Sequence, residues 1–167
     1  FRPLGVKAQA YFDIPPTAWR LDDSLLAEAF APRLRTNHKG DMGHVLVMGG
    51  APGFGGAALL ACQAAARLGA GKVSLATAPE HITASLVRCP EVMAHGVRGG
   101  AEAAELPSNA DVVVVGPGLG QAAWGQAVLQ SALQSDAPLV VDADGLNLLA
   151  RQWPEVRRDN WILTPHP

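Results

Sequence analysis

The chain has 167 residues, which is enough for one domain with a substantial buried core. Its formal net charge is −2 with both signs mixed, which argues against nucleic acid or an acidic membrane surface as a partner. No apolar run approaches the roughly 20 residues needed to span a bilayer. Hydrophobic residues make up 49% of the chain while aromatics make up only 5%, a composition typical of an α/β protein rich in small side chains.

The first part of the chain carries few signals of regular structure. Residues 1–21 contain three prolines and no sustained hydrophobic period, which predicts a linker or the tail of a preceding domain. Asp22 or Asp23 is a suitable cap for a helix that we predict to run to about Leu34. The chain begins at Phe1 and stops directly after an apolar run, so we expect it to be a piece of a longer polypeptide.

From residue 44 onward, strand-like and helix-like segments alternate. Helices are predicted over Ala57–Leu68, from Pro79, in WGQAVLQSAL and after the DAD of PLVVDADGLNLLA. Strands are predicted in HVLVMG, KVSLAT, EVMAHGV, DVVVVG, PLVVD and NWILT. This alternation predicts a doubly wound, mostly parallel sheet with ligand sites at the carboxyl ends of its strands.

Two glycine-rich segments follow predicted strands. The first is GGAPGFGGAA at residues 49–58, and the second is GPGLG, with Gly116, Gly118 and Gly120. Glycine allows the backbone to approach a ligand closely, and a helix N-terminus offers unpaired N–H groups to an anion. The first segment lacks the Lys-Ser/Thr of a Walker A loop. Each segment alone is equally consistent with a tight packing turn, but together they favour a cleft for a ligand with phosphates or a flat ring.

Polar side chains follow the last two predicted strands. Asp142 and Asp144 could contact a ribose hydroxyl, hold a magnesium-bound water or cap a helix; a cap for Gly145–Ala150 is as consistent with Asp144 as ligand contact. His166 lies between two prolines; it could face a cleft at the end of the last strand, or it could be an ordinary loop residue. His81 and His95 are interpreted as ordinary helix and strand positions.

The sequence predicts no metal site of its own. There is no HExxH motif, no Cys/His metal set and no Ser–His–Asp spacing. The two cysteines, Cys62 and Cys89, lack metal-like spacing and are interpreted as reduced thiols of a cytoplasmic protein.

The order of these motifs resembles the ADP/ATP-dependent NAD(P)H-hydrate dehydratase family. The motifs are HKGDMGHVLVMGG, GFGGAALLA, RLGAGKVSLAT, PEVMAHGV, VVVVGPGLG, PLVVDADGLNLL and ILTPHP, and they run from about Arg35 to the last residue. The resemblance implies a ribokinase-like, three-layer α/β/α fold with a mostly parallel sheet. It also implies repair of the S form of hydrated NADH and NADPH, with ADP (or ATP) as phosphoryl donor and Mg²⁺. The hydroxyl of the hydrate would be phosphorylated, and elimination of the phosphate would restore the nicotinamide.

The resemblance also implies roles for particular residues. Ala57 would lie against the hydrate ring, the turn centred on Gly118 would line the dinucleotide, and His166 would close the substrate pocket. The substrate-binding residues implied in this way are Ala57, Gly116, Gly118, Gly120, Asp142, Asp144, Asn147 and His166. Of these, Asp142, Asp144 and Asn147 match the DAD-x-LN pattern near the site, with less definite roles. Lys39 and Gly40 match the KG before the first strand.

The sequence departs from the family pattern at its end. Family members continue to a late GTGD motif that forms an anion hole and carries the catalytic aspartate, and no GTGD occurs here. We therefore expect a sheet truncated on its C-terminal side, no catalytic residue within residues 22–167 and no turnover by this chain alone. Many bacterial members are bifunctional, so residues 1–21 could be the tail of an epimerase domain. The full-length protein is expected to be a homo-oligomer.

Two other functions remain open from the sequence. One is a ribokinase-like small-molecule kinase, which would need the same late anion hole. The other is a non-catalytic dinucleotide-binding module. A Rossmann dehydrogenase ranks below both, because no acidic residue stands at the tip of the second strand, where such enzymes hold the ribose.

Overall fold

The computed structural model describes residues 5–15, 22–30 and 32–166, and the chain forms two compact units, residues 1–36 and 37–167. The first unit contains a 3-10 helix, Ala8–Tyr11, and helix α1, Asp23–Ala29. The Asp22 carboxylate accepts hydrogen bonds from the backbone N–H groups of Ser24 and Leu25, which confirms a helix cap at this position. The Ser24 hydroxyl also donates to this carboxylate, and these bonds hold the pKa of Asp22 below its ordinary value.

Helix α1 is shorter than the sequence predicted. It ends at Ala29 instead of near Leu34, and Phe30 already has non-helical dihedral angles. Pro32, two residues after Phe30, is consistent with the early end, because proline has no N–H with which to continue the helical bonding.

The second unit is built around six parallel strands. Their bounds are His44–Met48 (β1), Lys72–Thr77 (β2), Met93–Gly96 (β3), Val112–Val115 (β4), Leu139–Asp142 (β5) and Trp161–Thr164 (β6). The order across the sheet is β3-β2-β1-β4-β5-β6, and every neighbouring pair is parallel. The sheet predicted from the alternating pattern is confirmed. The chain moves outward from β1 in one direction and returns to begin again at β4, so the topological switch point lies between β1 and β4.

The helices of this unit cover both faces of the sheet. Their bounds are Gly55–Leu68 (α2), Ile82–Arg88 (α3), Gly100–Ala103 (α4), Ala123–Leu133 (α5) and Ala143–Gln152 (α6), and 3-10 helices lie at Lys39–Met42, Pro79–His81 and Pro107–Asn109. Side chains of β1 alternate between two cores. Leu46 and Met48 pack in the core that includes α5 and α6, whereas Val47 packs with Ala58 and Cys62 of α2. The result is the predicted three-layer α/β/α arrangement.

Several helix boundaries differ from the predictions. Helix α2 begins at Gly55, two residues before Ala57, and ends as predicted at Gly69, which adopts a left-handed conformation. Helix α4 spans only four residues, too few to show a helical period in the sequence. None of the helices in residues 5–15, 22–30 and 32–166 is both long and apolar enough to cross a membrane.

Candidate functional site

The two glycine-rich turns meet at the switch point of the sheet. The Gly50 N–H donates to the carbonyl oxygen of Pro117 at 3.1 Å, and the Ala51 N–H donates to that of Gly118 at 2.7 Å. The turn after β1 (residues 49–55, here the first turn) and the turn after β4 (residues 116–120, the second turn) are therefore bonded directly to each other. Ligands of open parallel sheets bind in the crevice at this position.

Glycine is required in the second turn because other backbone lies so close to it. Gly118 has φ +60, and a Cβ built on it would overlap the carbonyl oxygen of Phe54. Gly116 has φ +129, and a Cβ there would overlap the carbonyl oxygen of Asp142. The glycines thus allow three strand ends to approach one another, a role that exists whether or not a ligand is present.

The other side of the first turn is held by the last residue of β2 and by residues that follow it. The Gly50 carbonyl accepts hydrogen bonds from the Ala78 N–H at 3.1 Å and from the buried Thr77 hydroxyl at 2.9 Å. His81 Nε2 lies 3.0 Å from the carbonyl oxygen of Ala51. A carbonyl can only accept, so Nε2 must carry the proton. The interpretation of His81 as an ordinary helix position missed this contact, which joins residues 30 positions apart in the sequence.

The beginning of α2 opens beside the first turn. Ala57 lies in the first helical turn and is exposed, while its neighbour Ala58 is fully buried against the sheet. Phe54, at the N-cap position, makes no side-chain capping bond, and the residue is 64% exposed. The first N–H groups of a helix lack partners within the helix, so this end combines backbone donors with apolar surface.

The acidic side chains after β5 bind other parts of the protein. Asp144 Oδ2 accepts from the Gly120 N–H at 3.1 Å, and its Oδ1 accepts from the side-chain amides of Gln121 at 2.8 Å and Asn147 at 3.4 Å. Asp142 Oδ1 accepts from the Thr164 hydroxyl at 2.7 Å. Asp144 ties α6 to the second turn.

Of the two alternatives that the sequence left open for Asp144, the structure contradicts the helix cap. Helix α6 begins at Ala143, so Asp144 lies inside its first turn, and Asp142 occupies the N-cap position without making a capping bond. The Asp144 carboxylate instead accepts a hydrogen bond from the Gly120 N–H, 24 positions away in the sequence.

His166 lies beyond the end of β6, exposed to solvent. Strand β5 separates β6 from β4, so His166 follows a strand two positions away from the second turn. The structure therefore brings the two glycine turns, Ala57, Asp142 and Asp144 to one region at the carboxyl edge, with His166 further along the same edge.

A second polar cluster lies at the opposite end of β1. His44 Nδ1 donates to the Asn109 carbonyl at 2.6 Å, so the neutral ring accepts the Ser74 hydroxyl at Nε2, 2.8 Å away. This bonding pattern resembles a nucleophile–base pair. However, β2 is paired on both sides, so the backbone N–H groups next to Ser74 are engaged in the sheet and cannot stabilise an oxyanion. The cluster satisfies a buried hydroxyl.

The titratable groups of the described residues do not assemble into a metal centre. Within residues 5–15, 22–30 and 32–166, no three His, Cys, Asp or Glu side chains lie close enough to hold a metal ion. Cys62 and Cys89 are free and buried. Burial, and then the neighbouring Cys89, raises the pKa of the Cys62 thiol to about 12, which keeps it protonated and unreactive.

These features define a class of protein. A parallel α/β/α sheet with two interlocked glycine turns at its switch point is typical of proteins that bind a nucleotide or another small molecule at the carboxyl edge. The family model described as NAD(P)H-hydrate dehydratase matches residues 45–167. The chain therefore belongs to the NAD(P)H-hydrate dehydratase family, and the resemblance seen in its motifs is confirmed.

Relatives in other organisms agree with this assignment. The chain is 50% identical over 135 residues to the bifunctional NAD(P)H-hydrate repair enzyme Nnr of Coxiella burnetii, covering 81% of this chain and 27% of that protein. It is 38% identical to the ADP-dependent (S)-NAD(P)H-hydrate dehydratase of Streptococcus thermophilus, covering 88% of this chain and 54% of the relative. The chain thus spans about half or less of the length of these relatives.

Solved structures confirm the fold. A ribokinase-like superfamily protein from Enterococcus faecalis superposes with a TM-score of 0.77 at 28% identity, over 87% of this chain and 53% of the other. The ADP/ATP-dependent NAD(P)H-hydrate dehydratase of Bacillus subtilis, co-crystallised with ATP/Mg²⁺, superposes with a TM-score of 0.67 at 33% identity, over 81% and 48% of the two chains. The predicted ribokinase-like fold is confirmed.

Proposed function

We propose that this chain forms the substrate-binding part of an enzyme that dehydrates the S form of hydrated NADH and NADPH with ADP as phosphoryl donor. The observation that carries the proposal is the direct bonding of the two glycine turns at the switch point, from Gly50 to Pro117 and from Ala51 to Gly118. The family assignment and the printed names of the relatives support the substrate and the donor.

The proposed site recognises the hydrate mainly through backbone and small side chains. The exposed methyl group of Ala57, beside the open end of α2, would lie against the hydrate ring. The second turn, Gly116–Gly120, would line the dinucleotide, and His166 would close the pocket. Asp142, Asp144 and Asn147 would lie nearby. Asp144 would hold the second turn through the Gly120 N–H and would itself be bonded by the Asn147 amide, while Asp142 would bond the end of β6 through the Thr164 hydroxyl.

No residue of the described chain is assigned to Mg²⁺ or to the phosphates of ADP. The described carboxylates do not form a metal-binding group, and Asp142 and Asp144 already accept bonds from the protein. When bound, the nucleotide would supply the phosphoryl group that turns the hydroxyl of the hydrate into a leaving group. Because no described residue is assigned to the metal or the phosphates of the nucleotide, we propose that the 167-residue chain does not dehydrate the hydrate by itself. It spans only 27% of one relative and 54% of another.

The wider organisation is proposed from the same relatives. Residues 1–21 would be a linker or the tail of an epimerase domain, because the Coxiella burnetii relative is a bifunctional repair enzyme. The complete protein would act in the cytoplasm as a homo-oligomer.

The test is a repair assay on the protein expressed from its complete gene. Hydrated NADH is incubated with ADP or ATP, and absorbance at 340 nm reports recovered NADH. We expect ADP-dependent recovery by the complete protein and none by the 167-residue chain. A folded complete protein that recovers no NADH would refute the proposal. Nucleotide consumption without recovery would then indicate a ribokinase-like kinase, and binding without turnover would indicate a dinucleotide-binding module.

A further inference from the structure

We infer that His81 is a positioning residue that fixes the first turn and, through it, the start of α2 where Ala57 is exposed. The inference rests on the proposed function, because it assigns His81 a part in binding the hydrate. His81 would not touch the substrate. It lies in the 3-10 helix after β2, outside both glycine-rich motifs.

The hydrogen bonds of the first turn single out His81. The Ala51 carbonyl accepts the Phe54 N–H at 2.8 Å, which closes the turn on itself, and it also accepts His81 Nε2–H at 3.0 Å. The Ala51 N–H is bonded in turn to the carbonyl of Gly118. The two peptide units that flank Ala51 therefore join the end of β2 and the segment after it to the second turn. The Thr77 hydroxyl bonds to the first of these units, at the Gly50 carbonyl, and His81 bonds to the second, at the Ala51 carbonyl.

The ring of His81 also packs against the beginning of α2. A Cβ built on Gly55 would lie 2.8 to 3.0 Å from three atoms of the His81 ring. His81 thus contacts both ends of the segment from Ala51 to Gly55, and Ala57 lies two residues further on.

His81 is itself held in place by its own backbone. Its N–H donates to the Ala78 carbonyl at 3.0 Å, and its carbonyl accepts the Ser85 hydroxyl at 2.8 Å. The imidazole is therefore presented from a fixed segment, as expected of a group that positions a neighbour. Removing only the Nε2–H should leave the fold intact, because the Ala51 carbonyl keeps its bond from Phe54.

The experiment compares variants of the protein expressed from its complete gene. His81→Phe keeps a flat ring but removes the donor, whereas His81→Gln restores a side-chain N–H at similar reach. Gly55→Ala leaves His81 unchanged but places a methyl group against its ring. His95→Phe, on β3, is the matched control for replacing a histidine away from the turn. The readouts are KM and kcat for hydrated NADH and the amide hydrogen exchange of Ala51.

In His81→Phe, the loss of one hydrogen bond should raise KM about five- to tenfold, a factor that corresponds to the net free energy such a bond contributes. The value of kcat should change by less than about twofold. Exchange at Ala51 should become faster by a similar factor. His81→Gln should restore both values, Gly55→Ala should raise KM, and His95→Phe should match the wild type.

An unchanged KM or unchanged Ala51 exchange in His81→Phe would overturn the inference. So would a His81→Gln variant as impaired as His81→Phe, since the ring alone would then matter. If the wild-type protein itself fails to recover NADH, the proposed function has failed. Faster Ala51 exchange in His81→Phe would then still support control of the turn by His81.

Discussion

Replacing Gly118 by alanine tests whether the close approach of the two turns stabilises the fold. The residue has φ +60, which costs an alanine about 1–2 kcal/mol. Its new Cβ would also overlap the Phe54 carbonyl oxygen, and forcing these backbones apart costs about 1–3 kcal/mol. Weakening the bond from the Ala51 N–H to the Gly118 carbonyl adds about 1 kcal/mol. We therefore expect the free energy of unfolding to fall by about 3–6 kcal/mol, measured by urea denaturation followed by circular dichroism.

Substitutions at two other glycines separate the backbone strain from the steric overlap in the stability loss expected for Gly118→Ala. Gly53 has φ +82 with no atom within 4 Å of its built Cβ, so Gly53→Ala should cost only the backbone strain of about 1–2 kcal/mol. Gly56 lies in α2, also with open space around its Cβ, so Gly56→Ala should be neutral or stabilise by up to about 1 kcal/mol. The reasoning is refuted if Gly118→Ala costs no more than Gly53→Ala.

Three further substitutions test two buried contacts and the titration of the Cys62 thiol. Thr77→Val should lower the free energy of unfolding by about 1 kcal/mol in urea titrations, because the Gly50 carbonyl loses the buried hydroxyl but keeps its backbone donor; no loss would contradict this. The pKa of Cys62 is raised from 9.0 to about 12, so above pH 9 the unfolded chain releases a proton that the folded chain retains. Stability should therefore fall as pH rises from 9 towards 12, by up to about 1.4 kcal/mol per pH unit, and Cys62→Ala should remove that part of the slope. Leu129→Ala, at a fully buried position of α5, should cost about 2–5 kcal/mol by the same denaturation assay, and a cost below about 1 kcal/mol would place this side chain outside the core.

The sheet could be predicted because its strands carry strong local signals. Val112–Val115 is a run of valines, as expected where both faces of a strand are covered, and such a run needs no knowledge of its neighbours. The end of α1 and the short helix α4 were not predicted well. A four-residue helix has too few positions to show a period, and the stop of α1 depends on a proline that the hydrophobic pattern did not take into account.

The candidate site was predictable in outline but not in its bonding. Glycine-rich segments after strands indicate where the backbone can approach closely, and that part of the reasoning depends on local sequence alone. The contacts of His81 with Ala51 and of Asp144 with Gly120 join positions 30 and 24 residues apart. No local pattern distinguishes such a histidine from an exposed one, or such a carboxylate from a helix cap.

The bonding of the acidic residues bears on what this part of the protein can do. The Asp142 carboxylate accepts a hydrogen bond from the Thr164 hydroxyl, and the Asp144 carboxylate accepts one from the Gly120 N–H. These two carboxylates, at and just after the end of β5, therefore already have donors within the protein. Near the first turn, the start of α2 offers backbone N–H groups that lack partners within the helix, beside the exposed Ala57 and Phe54. Unpaired N–H groups at a helix N-terminus bind anions or polar oxygens, so this end of α2 can accept either an amide oxygen or a phosphate. Because Asp142 and Asp144 are bonded within the protein, we expect phosphoryl transfer to depend on groups other than these two carboxylates.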